Sequence, residues 1–330
     1  MSFLYGIILL CNPFLIDVPP KEELTVSDYL EVQHKLQQLD ITQALDDIYP
    51  KLSWWDQMIA SVKRVLGQKP NLRHRQDFQG RLSRGIQQIF INPEKNQLPN
   101  ITLHQINEGG EYCLVSYCSY NGIYPSLLEK IPSALQQTGF HGHLLLFEGA
   151  FPNPTGQEIR FCAVPYCFKI FALMEAHQRG FQKVLWIDSA LIPLNDPTPL
   201  FHWIEEKGSL LHFRKNGHRY LLPVTRQILF KETGVDLYRS QSLRARVIGL
   251  NFQYPATKNL IQEYQRLVEM GTPFMGCFPE EFVLGALLQK HPQAWPCHPF
   301  TKIVLKEGKL HGKSQDQAQK EGYFFLLQHH

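Results

Sequence analysis

Val184-Leu185-Trp186-Ile187-Asp188-Ser189-Ala190 decides the fold. Four consecutive apolar residues fit a strand buried on both faces, the habit of parallel sheets. An acid then appears where that strand should end. In open α/β sheets, ligands collect at the carboxyl ends of strands. Asp188 would face such a crevice while held by a rigid element, a position suited to a metal or a sugar hydroxyl. The plain alternative is an Asp that caps a turn or the next helix.

The flanking sequence repeats this rhythm. Tyr112–Tyr117 and His143–Phe147 read as two more buried strands, and Leu210–Phe213 as another. Between them, Tyr124–Leu135, Pro165–Ala176 and Pro199–Glu206 read as helices, with Gly139, Gly180 and Gly208 at or just beyond their ends. Strands and helices alternating at this spacing predict an α/β fold. Its sheet is mixed but mainly parallel, with helices on both faces. Right-handed crossovers then align the strand ends at 116–120, 148–150 and 188–190 along one edge.

Residues 1–108 read differently, as a mainly helical N-terminal appendage before a domain of 109–330. Tyr29, Val32, Leu36 and Leu39 recur at helical spacing, with Ser27 as the expected cap. A second helix is expected near 52–66, and a polar loop at 92–100. The apolar run within 1–16 lacks a preceding Lys or Arg and is short for a bilayer span. It predicts a segment packed on the protein, with a peripheral membrane contact as the alternative.

With 330 residues, 44% apolar and 19% charged, the chain can bury a large core. A net charge of +3 and the lack of a dense basic run argue against a nucleic-acid partner. The seven Cys are odd in number and form no C-x-x-C. Cys113/Cys118 and Cys162/Cys167 share a C-x4-C spacing, but their apolar settings favour buried free thiols and a reducing, cytoplasmic location, with membrane association left open.

Several residues carry chemistry. Lys169 lies near a helix start, where the dipole disfavours a cation and a bound anion would relieve the cost. It shares a face with Ala172 and Ala176; a helical Lys otherwise snorkels to solvent. Gly249 interrupts the apolar run Val247–Phe252, which marks either close approach of a ligand or a bulge. Glu280 and Glu281 open a helix after Pro279, where acids favour the dipole. His212, His218, His298 and His311 are isolated, and Arg214, Lys215 and His218 fit a solvated turn.

The ordered set from Pro165-Tyr166-Cys167-Phe168-Lys169 through Gly180 to Asp188 resembles the core of GT-A-type nucleotide-sugar glycosyltransferases. It is similar to bacterial and viral members with a Pro-Tyr-x-x-Lys helix and a Leu-Trp-x-Asp strand end. The resemblance spans roughly 111–290. It implies a GT-A-like, Rossmann-like fold and a nucleotide-sugar donor, UDP- or GDP-linked. Asp188 and Ser189 would then touch the donor, Ser119 and Tyr120 its base, and Lys169 its phosphate. Glu281, ahead of Glu280, would be the base that takes the acceptor proton. Asp188 matches the first acid of the family's Asp-x-Asp metal motif, whereas Ala190 replaces the last. Either Asp188 holds Mn or Mg alone through water, or another residue supplies the missing ligand, for which the resemblance offers His298, or no metal is needed.

The function read from the chain is transfer of a sugar from a nucleotide-diphosphate donor to a hydroxyl on a glycan, lipid or protein. The rivals are a non-catalytic nucleotide-sugar or glycan-binding module, favoured by Ala190, and a nucleotidyltransferase. The latter lacks a Gly-rich phosphate loop here.

Overall fold

The computed structural model describes residues 12–43, 58, 62, 65, 75–214, 221–237, 241–306 and 315–328. The expected helix at 52–66 lies almost wholly outside them, as do Cys11, Lys215, His218 and His311.

Six strands build the central sheet: β1 (Asn100–Ile106), β2 (Tyr112–Cys118), β3 (Gly142–Glu148), β4 (Lys183–Ile187), β6 (Ser209–Arg214) and β7 (Ser242–Asn251). Their spatial order is β1-β3-β2-β4-β7-β6. β3, β2 and β4 are mutually parallel, and β1 and β7 run against their neighbours. The expected parallel strand ends thus lie side by side.

Alternation sends side chains to two separate cores, as the pleat requires. Cys113, Val115 and Tyr117 of β2, with Val184 and Trp186 of β4, face one core. Leu114 and Cys118, with Leu185 and Ile187, face the other. Helices cover both faces. α5 (Phe168–Gln178), α7 (Pro223–Thr233), α8 (Pro255–Met270) and α9 (Pro279–Lys290) bury Phe171, Leu229, Tyr264 and Phe282 in the first core. α3 (Tyr124–Leu128), α4 (Ile131–Gln137) and α6 (Thr198–Lys207) bury Leu127, Leu135 and Ile204 in the second. A small sheet of β5 (Leu191–Pro193), β8 (Val304–Lys306) and β9 (Phe325–Leu327) closes that side.

The N-terminal region is part of the same cores. α1 (Val26–Gln38) buries Tyr29, Val32 and Leu36 against the sheet, beside Leu82 and Ile86 of α2 (Arg75–Ile86). Phe14 and Ile16 are also buried there, so the described end of the early apolar run packs inward. Residues 100–106, placed by the sequence in the appendage, form edge strand β1 and pair with β3 over seven residues. The cap of α1 is Thr25, not Ser27: Thr25 and Asp28 exchange side-chain and backbone bonds in a capping box.

Two expected helices have different bounds. Tyr124–Leu135 divides into α3 and α4, with Pro132 in the first turn of α4, where its missing N–H is harmless. The helix expected from Pro165 begins at Phe168, because Tyr166 has φ +60, outside the right-handed helical region. Gly249 pairs in unbroken register with Leu185. A Cβ there would lie 2.3 Å from Ile204 Cδ1 of α6, so the close approach is a helix side chain, not a ligand or a bulge.

Candidate functional site

The chain turns sharply after β4, with Leu191 N–H donating to Asp188 C=O at 2.8 Å. This turn sends Ala190 into the second core, while Asp188 stays beside Trp186 and α5. Asp188 Oδ1 accepts from Trp186 Nε1 at 3.0 Å and from Lys169 Nζ at 2.9 Å. A buried indole N–H needs an acceptor, and the carboxylate supplies it. The Asp188 side chain keeps 28% of its surface exposed, so one part is fixed by protein and the rest faces outward.

Lys169 is buried, which excludes solvent snorkelling. Its ammonium lies 2.9 Å from Asp188 Oδ1, 3.1 Å from Glu280 Oε1 and 2.9 Å from Ala245 C=O. An ammonium has three N–H bonds, and each meets an acceptor here. Burial pushes the Lys169 pKa down, but Asp188 and Glu280 outweigh it and hold the group charged. The anions that offset its unfavourable place at the start of α5 are therefore the protein's own carboxylates. The expected phosphate contact has no free N–H in this arrangement.

Glu280 is 2% exposed, in the first turn of α9. Its Oε1 meets Lys169, whereas Oε2 is buried without a hydrogen-bond partner. Burial pushes its carboxyl up to about 7, with Lys169 pulling the other way. Glu281 Oε1 accepts from Ala245 N–H at 3.4 Å, on the same residue whose C=O meets Lys169. Helical spacing does separate the two acids. It is Glu280, ranked second on sequence, that joins Asp188.

The remaining candidates lie in other surroundings. Tyr120 is buried, its hydroxyl donating to Leu98 C=O at 2.5 Å and its ring against Gly149. Ser119 Oγ accepts from Asn121 Nδ2 at 3.0 Å, and Ser189 is buried. His298 stacks on His212, with ring centroids 5.4 Å apart, and its Nδ1 is buried without a partner. Burial first, then Arg244 and His298, lowers His212 to about 4; burial also lowers His298. The described Cys are all free, and only Cys297 is exposed.

Asp188 Oδ1 is taken by an ammonium and an indole, and Ala190 offers only a methyl group turned into the core. Among the described residues, no three His, Cys, Asp or Glu side chains converge as a ligand set.

Two residues were given no role by the sequence reading. Tyr166 and Phe278 each stand just before a site helix, at φ +60 and +67. A bulky residue in this region costs about 1–3 kcal/mol and persists only when its surroundings enforce it. Their rings lie 6.3 Å apart, beside the ion cluster. Neither residue type signals a left-handed backbone; only Pro279, which favours a helix start, hinted at the geometry after Phe278.

No protein-family model and no curated protein matches the chain. Among solved structures it is similar to the crystal structure of mouse Xyloside xylosyltransferase 1 in its apo form, at 11% identity and a TM-score of 0.39. The similarity covers 66% of this chain and 97% of that one. The likeness is slight, and the functional reading rests on the site itself.

Proposed function

We propose that the protein is a glycosyltransferase acting on a nucleotide-diphosphate sugar. One observation carries the reading: an outward-facing acid at the end of a central strand, fixed by Lys169 and Trp186 beside a second, buried acid. Asp188 offers its exposed carboxylate edge to a donor hydroxyl. Lys169 is a positioning residue that holds Asp188 and Glu280 at one point. Glu280 is the base. It takes the proton of the acceptor hydroxyl as the new bond forms to the anomeric carbon and the bond to the diphosphate breaks. A carboxyl raised to about 7 suits proton transfer near neutral pH. No step is assigned to a metal.

The second reading is a binding module without turnover, favoured by the burial of Ala190 where the family motif has an acid. Release of free nucleotide from an intact donor separates the two.

The test is calorimetric titration with UDP, GDP, CMP and UDP-sugars, each with Mn and with chelator. One nucleotide should bind equally well in both. Asp188→Asn, which keeps an acceptor for Trp186, should weaken it by about tenfold or more, the loss of one charged hydrogen bond. Wild-type affinity in that variant would refute the donor assignment.

A further inference from the structure

The chemistry above leaves Tyr166 and Phe278 without a role, although both are held in a costly conformation at the site. Phe278 is 40% exposed. Full burial does not explain its ring, and backbone comfort does not explain its φ of +67. Strained residues of this kind cluster at ligand clamps. The Tyr166 ring lies 6.3 Å from Phe278, tilted by 46°, and 5.8 Å from Lys169 Nζ. Burial raises the Tyr166 phenol, and the charge of Glu280 raises it further. The pair is buttressed from the N-terminal region. Gly85 of α2 lies against Tyr166, and a Cβ there would sit 3.2 Å from the ring. Glu280, two residues after Phe278, meets the same Lys169 ammonium that lies over the Tyr166 ring, and its Oε2 is a buried acceptor that receives no hydrogen bond from the protein.

An aromatic wall beside an unmet acceptor matches one ligand chemistry well. A pyranose has an apolar C–H face that packs on a ring and hydroxyl donors at its edge. The walls supply contact area at little conformational cost, and the few polar groups fix orientation. An unmet buried acceptor is costly, and a ligand hydroxyl removes that cost. Resting on the glycosyltransferase reading, we infer that Phe278 and Tyr166 wall an acceptor subsite for a pyranose ring, with Glu280 Oε2 accepting one of its hydroxyls. Phe278, the exposed member, swings to admit the sugar, and Tyr166 stays packed.

The experiment is saturation-transfer NMR on the full chain with methyl pyranosides of glucose, galactose, mannose and xylose, beside the nucleotide titration. Wild type should bind at least one pyranoside. Phe278→Asn removes the ring yet tolerates positive φ; it should weaken that pyranoside by about tenfold, as expected for lost ring packing, and leave nucleotide affinity unchanged. Phe278→Trp should retain both. Asp188→Asn should do the reverse of Phe278→Asn, losing nucleotide and keeping pyranoside, so the two readings fail separately. Gly85→Val provides a second route: it displaces Tyr166 from a distance and should weaken pyranoside alone. Wild-type pyranoside binding in both Phe278→Asn and Gly85→Val would overturn the inference. So would loss of nucleotide instead of sugar, which would make the wall a base platform, or no pyranoside binding by the wild type.

Discussion

Glu280 sets the pH behaviour of the site, because it is a buried carboxyl with one oxygen on Lys169 and the other without a hydrogen-bond partner. Burial holds its folded pKa near 7 against an ordinary 4.5. Between those values the folded chain keeps a proton that the unfolded chain has released. Stability from this group is therefore fully present below about 4.5 and falls as pH rises through about 7. Glu280→Gln cannot titrate, so its melting temperature should decline less than wild type between pH 5 and pH 8. Thermal melts at pH 5, 6, 7 and 8 measure this, and parallel declines would show that Glu280 does not carry the proton. Asp188 and Lys169 were legible from the sequence because a strand end and a helix start are positions with a physical meaning. Their pairing was not, since residues 19 apart in sequence meet only through the crossover. The precedence of Glu280 over Glu281 was likewise invisible. Two adjacent acids in a first helical turn satisfy the dipole equally, and only the angle of α9 on the sheet decides which one meets Lys169.

At the scale of elements, glycine stops were readable, because Gly beyond the last turn acts locally, and so was the start of α6 at its first-turn Pro199, whereas Pro165 stands before α5 rather than in it. α6 stops at Gly208 with φ +83, as its expected end at Gly208 required. What a glycine makes room for is not local, and Gly249 illustrates this. The sequence offered a ligand or a bulge, whereas the sheet presents Ile204 Cδ1 at 2.3 Å from where a Cβ would stand, with Leu210 Cβ at 2.9 Å. Gly249→Val should overpack the α6 contact and cost about 1–3 kcal/mol, read by chemical unfolding. Nucleotide affinity of the folded fraction should be unchanged. A variant of wild-type stability with lost nucleotide affinity would mean that the glycine serves a ligand after all.

For the whole molecule, composition suggested an appendage before residue 109, since helical spacing and polar loops there contrast with the buried strands that follow. Periodicity shows which face of a helix is apolar, but not what covers it. Eight apolar side chains from this region, Phe14, Ile16, Tyr29, Val32, Leu36, Leu82, Ile86 and Phe90, lie in the same core as Val115, Phe147 and Trp186. Gln88 accepts from the Tyr117 hydroxyl at 2.6 Å, and Ile89 C=O accepts from Tyr120 N–H. Burial of one large apolar side chain is worth about 1.5–3 kcal/mol. Removing eight forfeits on the order of 10 kcal/mol, as much as the entire net stability of an ordinary domain. Loss of β1 would also leave β3 as a bare edge, open to pairing with another chain. A chain of residues 109–330 should therefore lack a cooperative melt and associate in sedimentation, although it holds Asp188, Lys169 and Glu280. The residues it lacks also include Gly85, which bears on Tyr166, so the same truncation should disturb the site as well as the fold. A soluble, monomeric 109–330 with a sharp transition and full-length nucleotide affinity would show that the N-terminal region is an appendage in energy as well as in composition.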